Sequence, residues 1–96
     1  MSLKEAYKQK IEAELELVQA KLAEFKAEAK NTAADVQIKY SEHVDKLEKM
    51  VDVTKEKLKE LDAASDDAWE HFKQGVESAW AILSTAVHDT VAKFKK

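Results

Sequence analysis

Residues 27–36 read AEAKNTAADV, and they decide whether the first two thirds of the chain form one helix or two. Asn31 and Thr32 favour a break, because Thr32 can cap a new helix with Asp35 at its third position. The four alanines favour continuity, because alanine is the strongest helix former and neither Gly nor Pro lies in this stretch. The sequence leaves both structures open, and we favour the continuous helix.

An apolar stripe extends on both sides of this stretch. Its members recur every three or four residues, which is the spacing of one face of an α-helix. They are Tyr7, Ile11, Leu15, Val18, Leu22, Phe25, Ala29, Ala33, Val36, Tyr40, Val44, Leu47, Val51, Thr54, Leu58 and Leu61. Because the stripe crosses residues 31–32 in phase, we predict a long helix over about residues 3–62. The alternative is a three-helix bundle with a turn at 31–32.

A second break is marked at residues 63–68, which read AASDDA. Ser65 is a good helix cap, and Asp66 and Asp67 suit the positive end of a helix dipole. We therefore predict a helix over about 66–95 that folds back antiparallel on the long helix. The fold class is all-α, an antiparallel coiled coil or helical bundle, and residues 1–96 form a single helical coiled-coil domain.

The last helix has a different pattern from the long one. Its bulky residues repeat every 11 positions, as from Trp69 to Trp80 to Val91, which favours straight packing. Glu77 and Asp89 are its only charged residues between 74 and 92. Because low charge is typical of a wide buried arc, we predict that this helix is the central one and touches two neighbours.

The apolar face of the last helix also predicts self-association. A continuous long helix would leave part of its stripe uncovered, and a second chain would cover it in a homodimer. The residues that we expect to serve packing and self-association are Trp69, Phe72, Gly75, Val76, Ala79, Trp80, Leu83, Ala86, Val87 and Phe94.

The composition argues against enzymatic chemistry. The chain has no Cys and one Gly, so it lacks thiolate ligands and a glycine-rich phosphate loop. His43, His71 and His88 have no Glu-x-x-His or His-x-x-x-His partner one helical turn away. The carboxylates lie in charged stretches that solvate them. We expect no catalytic residue, no metal and no cofactor, and the protein is predicted not to be an enzyme.

The charge pattern also limits the partners. The 16 basic residues are all lysines, interleaved with 19 acids, and specific nucleic-acid binding normally needs a basic face with arginines. No apolar run is long enough to cross a membrane. The first residues carry charge and no apolar signal region. We expect a cytoplasmic location.

Part of the last helix resembles a known group of proteins. The segment Asp67-Ala68-Trp69-Glu70, followed by Gly75-Val76-Glu77, Ala79-Trp80, Leu83 and Ala86, comes after a Lys/Glu-rich helix. This layout resembles small uncharacterised bacterial coiled-coil proteins, in which a long charged helix precedes a helix with a repeated Ala-Trp pattern. The resemblance implies an all-α fold and transfers no catalytic residue.

Two functions remain open at this point. The first is a non-enzymatic structural or interaction protein that self-associates through apolar helix faces and presents surfaces to an unidentified protein partner. The second is an amphipathic helical protein that makes peripheral contact with lipid, of the apolipoprotein-like or desiccation-protective type.

Overall fold

The structure is a computed structural model that describes residues 2–94, with side chains for residues 2–93. It contains three helices in this range, α1 (Leu3–Ala29), α2 (Ala34–Ala63) and α3 (Trp69–Phe94). The helices run alternately up and down and form a bundle of 52 × 19 × 18 Å. The predicted all-α helical bundle is confirmed.

The turn at residues 30–33 is the main difference from the favoured prediction. A continuous helix over 3–62 is wrong, and the alternative three-helix bundle is confirmed. The Thr32 hydroxyl donates to the Ala29 carbonyl at 2.8 Å, which closes the end of α1. The Gln37 side-chain amide donates to the carbonyls of Thr32 at 3.0 Å and Lys30 at 3.4 Å.

The expected cap of α2 is also different from the observed one. Ala33, rather than Thr32, is the cap residue, and its side chain makes no hydrogen bond. A continuous helix would leave the apolar face of α1 uncovered within a single chain. Folding back at 30–33 buries Phe25 and Ala29 of α1 in the same core as Tyr40 of α2.

The second turn, at residues 64–68, confirms the predicted break. The backbone N–H groups of Ala68 and Trp69 both donate to the Ser65 carbonyl at 3.0 Å. Helix α3 consequently begins at Trp69, three residues later than expected. The Lys4 ammonium donates to the carbonyls of Asp62 at 3.2 Å and Ala64 at 3.0 Å, so the N-terminus of α1 is tied to this turn.

Helix α2 is the central helix of the bundle. It packs along both α1 and α3, whereas α1 and α3 approach each other least. The prediction that the last helix is central is therefore wrong. The reason is topological, because both short turns belong to α2 and hold a neighbour against each side of it.

The core follows a heptad pattern in all three helices. Buried residues alternate in steps of four and three along α1 and α2, and recur every seven residues along α3. The α3 row is Trp69, Val76, Leu83 and Thr90. Trp80, Val87 and Val91 of the predicted stripe pack half-buried against this core, whereas Phe72 is 36% exposed.

Candidate functional site

An exposed apolar patch lies where α2 and α3 meet on the outside of the bundle. It consists of Met50 and Val53 on α2 with Ala79 and Ile82 on α3, and it lines a shallow recess of about 240 Å³. Val53 is 48% exposed and Ile82 is 61% exposed. We call these four residues the α2–α3 patch. A protein that leaves contiguous apolar side chains in water has a surface that a partner can cover.

Two lysines lie at the edge of the α2–α3 patch. Lys46 and Lys49 line the same recess, and both are exposed. Neither ammonium group is among the ion pairs that the described residues form. The patch therefore combines an apolar contact area with two lysines that can form ion pairs with carboxylates of a partner.

The recesses on the opposite side of α2, between α1 and α2, are lined by a larger share of charged side chains. One of these recesses is lined mainly by charged side chains, namely Lys8, Glu12, Glu16, Lys55, Lys59 and Asp62. Ion pairs cross this junction, with Lys8 Nζ at 3.3 Å from Asp62 Oδ2 and Lys26 bonded to Glu48 Oε1. Charge satisfied within the chain makes this junction a stabilising contact rather than a candidate binding surface.

The structure places the predicted packing residues in three settings. Trp69, Val76 and Leu83 are buried in the core of a single chain. Half-buried positions are Gly75, Ala79, Trp80, Ala86 and Val87. Phe72 is 36% exposed, and the side chain of Phe94 lies outside the described residues. Ala79 lines the α2–α3 patch. A role in self-association stays a prediction for all ten residues.

Gly75 does not mark a close approach of two backbones. A Cβ built on it would lie 3.8 Å from Cδ of Lys57, which is an ordinary van der Waals distance to the flexible part of a side chain. The small size of this residue therefore leaves room that a larger side chain can use.

One buried polar atom lies between α1 and α3. The Tyr7 hydroxyl is buried and has no hydrogen-bond partner among the described residues. Burial, together with the negative charges of Glu77 and Glu14, raises the pKa of Tyr7 to about 12. The ring is 5.9 Å from that of Trp69, and Lys73 Nζ lies 5.3 Å from its centroid. Tyr7 thus serves packing at the end of the bundle near the second turn.

The titratable side chains are spread over the surface. All Asp and Glu residues are exposed or half-buried. Among the side chains that the structure describes, no three His, Asp or Glu are grouped so that they could hold a metal ion. None of the described helices is both long and apolar enough to span a membrane.

Comparisons of the chain with protein-family models, with curated proteins and with solved structures found no match. The all-helical layout that the sequence resemblance implied is present in the structure. The resemblance to bacterial coiled-coil proteins stays a prediction.

Met50, Val53 and Ile82 were not among the predicted site residues. They lie outside the apolar stripes, at positions that helical periodicity assigns to solvent. One signal in the sequence could have identified them. They are apolar residues at helix positions where the rest of this highly charged chain has polar side chains. Their proximity depends on the pairing of α2 with α3, which periodicity does not give.

Proposed function

We propose that this protein is a non-enzymatic helical interaction module that engages another protein through the α2–α3 patch. The observation that supports this most is the exposure of Val53 and Ile82 side by side in a recess with a largely apolar lining. A groove between two antiparallel helices accepts the apolar face of a further helix. In this proposal a helix of the partner protein packs in the groove between α2 and α3.

The non-enzymatic part of the proposal rests on the setting of the carboxylates and histidines. General acid–base catalysis needs a titratable group held within hydrogen-bond reach of a substrate in a cleft. The carboxylates lie on solvated faces. His43 lies on α2, with Lys93 Nζ at 3.5 Å from its Nε2, while His71 and His88 are exposed on α3.

A photo-crosslinking amino acid at position 82 tests the proposal in the cells that make the protein. Ile38 is the matched control, because it is also 61% exposed but lies on α2 outside the patch. We expect a discrete protein adduct from position 82 and none from position 38. The adduct should be lost when Val53→Lys places a charge in the middle of the patch.

Equal adducts from the two positions, or none from position 82, would contradict the proposal. The mass of the adduct also identifies the class of partner, since an adduct of two chains indicates self-association. An adduct with a different protein also supports the interaction module and shows that the partner is not a second copy of this chain.

A lipid surface is the second candidate, and one observation favours it. The fold brings Lys46 and Lys49 of α2 beside Ile82 of α3, which gives α3 the basic flank that its own sequence lacks. Apolar side chains with lysines beside them are typical of helices that lie on anionic membranes. Flotation with anionic and neutral vesicles tests this function. Binding to anionic vesicles that Ile82→Glu abolishes supports it, because this change removes the apolar contact and adds a charge that anionic lipid repels. Failure to float with either kind excludes it.

A further inference from the structure

We propose that the occupant of the α2–α3 patch is the same patch of a second copy, related by a twofold axis that passes near Val53 and Ile82. This inference rests on the proposed function and names its partner. In such an isologous dimer each surface meets itself, so the patch must be complementary to its own reversed copy.

The charges on α2 satisfy this requirement. Residues seven apart on a helix lie within about 20° of each other, so Lys46, Val53 and Glu60 form one row along α2. Lys49 and Glu56 form a neighbouring row, with its midpoint beside Val53. Both rows are positive at one end and negative at the other, with the apolar patch near the middle.

A twofold axis at Val53 places the positive end of each row against the negative end of the same row in the second copy. It pairs Lys46 with Glu60 of a second copy and Lys49 with Glu56 of a second copy, and symmetry repeats both pairs. Lys46, Lys49 and Glu56 take part in none of the ion pairs within the described chain, so these charges are available. Glu60 is only loosely held, at 4.0 Å from Lys57 Nζ with both side chains about half exposed.

The composition of α3 supports the same contact. Between residues 74 and 88 this helix carries a single charged residue, Glu77, although it lies at the edge of the bundle. The patch residue Ile82 faces outward with Thr85 one turn ahead of it, and both are exposed. Little charge on the outer side of an edge helix favours a further packing partner on that side, and a second copy can be that partner. The twofold axis sets Ile82 against Ile82 of that copy.

The size of the face sets the strength of the contact. From Lys46 to Glu60 the face is about 21 Å long at 1.5 Å per residue. The bundle is 18 to 19 Å across. A contact of these dimensions is smaller than the roughly 800 Å² per partner of a standard stable interface. The dimer is therefore a transient one that forms and dissociates readily.

Charge reversal on the two ends of the rows tests the symmetry. The variant K46E/K49E makes both ends negative, and the variant E56K/E60K makes both ends positive. Each variant repels itself, while the two together restore every pair in a heterodimer. The experiment measures the mass of each full-length protein and of their equimolar mixture by analytical ultracentrifugation over a wide concentration range.

We expect the wild-type mass to rise from one chain and to level at two. The dissociation constant should rise at least about tenfold in each variant, because four exposed contacts change from attraction to repulsion. The equimolar mixture should dimerise again. The matched control is K55E/K59E, on the α1 side of α2, which changes the charge equally and should dimerise like the wild type.

Three outcomes would overturn the inference: a wild-type mass of one chain throughout, variants that dimerise as well as the wild type, or a mixture that stays monomeric. Circular dichroism of each variant checks that the helices are intact. If the wild type stays monomeric while position 82 still forms an adduct with another protein, this inference fails and the proposed function stands. If neither contact forms, both fail.

Discussion

The turns at residues 30–33 and 64–68 both reverse the chain, but different interactions hold them. The first turn is held locally, by the Thr32 hydroxyl and the Gln37 side-chain amide, over at most seven residues. The second turn is held by α1, because the Lys4 ammonium bonds to the carbonyls of Asp62 and Ala64 from about 60 residues away. Tyr7 of α1 also packs on Trp69, which begins α3.

Because of this difference, we expect substitutions at the two ends of the bundle to affect stability differently. Besides the apolar burial that folding back provides, the first turn has only local hydrogen bonds of modest net value, about 1 kcal/mol each. The second turn has local bonds to the Ser65 carbonyl and, in addition, contacts that exist only when α1 has folded onto α2. We therefore expect variants near the second turn to affect the whole fold, and variants at the first turn to act locally.

Trp69→Ala should have the largest effect. Trp69 is 7% exposed and fills the core at the start of α3, so its removal should lower the free energy of unfolding by about 3–5 kcal/mol. Urea unfolding followed by circular dichroism measures this loss. Phe72→Ala is the control, because Phe72 is 36% exposed and its truncation should cost much less. Equal losses for the two variants would show that Trp69 does not anchor the second turn.

Lys4→Met tests the long-range bonds of the second turn. Methionine keeps the apolar stem and removes the ammonium group, which leaves the carbonyls of Asp62 and Ala64 without this donor. We expect a loss of about 1–2 kcal/mol in the free energy of unfolding. Lys10→Met is the matched control on an exposed position of the same helix. A Lys4 variant as stable as this control would mean that α1 does not hold the second turn.

Gln37→Ala tests the local bonds of the first turn. The side-chain amide donates to two turn carbonyls, so its loss should cost about 1 kcal/mol. Hydrogen exchange should accelerate near residues 30–37 and stay unchanged near the second turn. Gln74→Ala, at an exposed position of α3, is the control and should change neither. Faster exchange across the whole chain would contradict the local character of this turn.

Tyr7→Phe should have the smallest effect at neutral pH. The Tyr7 hydroxyl is buried without a partner in the described chain, so its removal should leave stability unchanged or slightly higher. Above pH 10 the two proteins should diverge. The pKa of Tyr7 is about 12 in the folded protein and near 10 when unfolded, so ionisation favours the unfolded chain as the pH rises from 10 to 12.

Melting temperatures between pH 9 and pH 12 measure this divergence. The wild type should lose more stability with rising pH than the Tyr7→Phe variant. Tyr40→Phe gives the comparison at the other end of the bundle, because burial also raises the pKa of Tyr40. Identical alkaline melting curves for wild type and Tyr7→Phe would show that the Tyr7 hydroxyl is solvated.

The sequence predicts much of this fold, and the misses have physical causes. Ser65 and the acids after it identify the second turn because such residues are typical of the start of a helix. The bonds observed there go to the backbone carbonyl of Ser65. At the first turn the break signal of Asn31 and Thr32 competes with the phase of the apolar stripe. Ala29 and Tyr40 are 11 residues apart and would share one face of a straight helix as well. The turn forms because folding back buries both faces, and the Gln37 amide that holds it belongs to no short motif.

The candidate site was harder to predict than the fold. From the low charge of α3 we predicted a wide buried arc at the centre of the bundle, but much of its uncharged surface is exposed. The structure turns Trp69, Val76 and Leu83 inward and leaves Ile82 outside. Which apolar residues of α3 remain exposed depends on its pairing with α2, and helical periodicity carries no information on the choice of neighbour.

The reversal at residues 30–33 lets one chain cover its own apolar faces. Small-angle X-ray scattering of the wild type at low concentration, with its mass measured by light scattering, tests this reversal. We expect a single chain whose longest dimension is close to the 52 Å of the bundle. A particle of two chains about 90 Å long, as a continuous helix over residues 3–62 requires at 1.5 Å per residue, would contradict it.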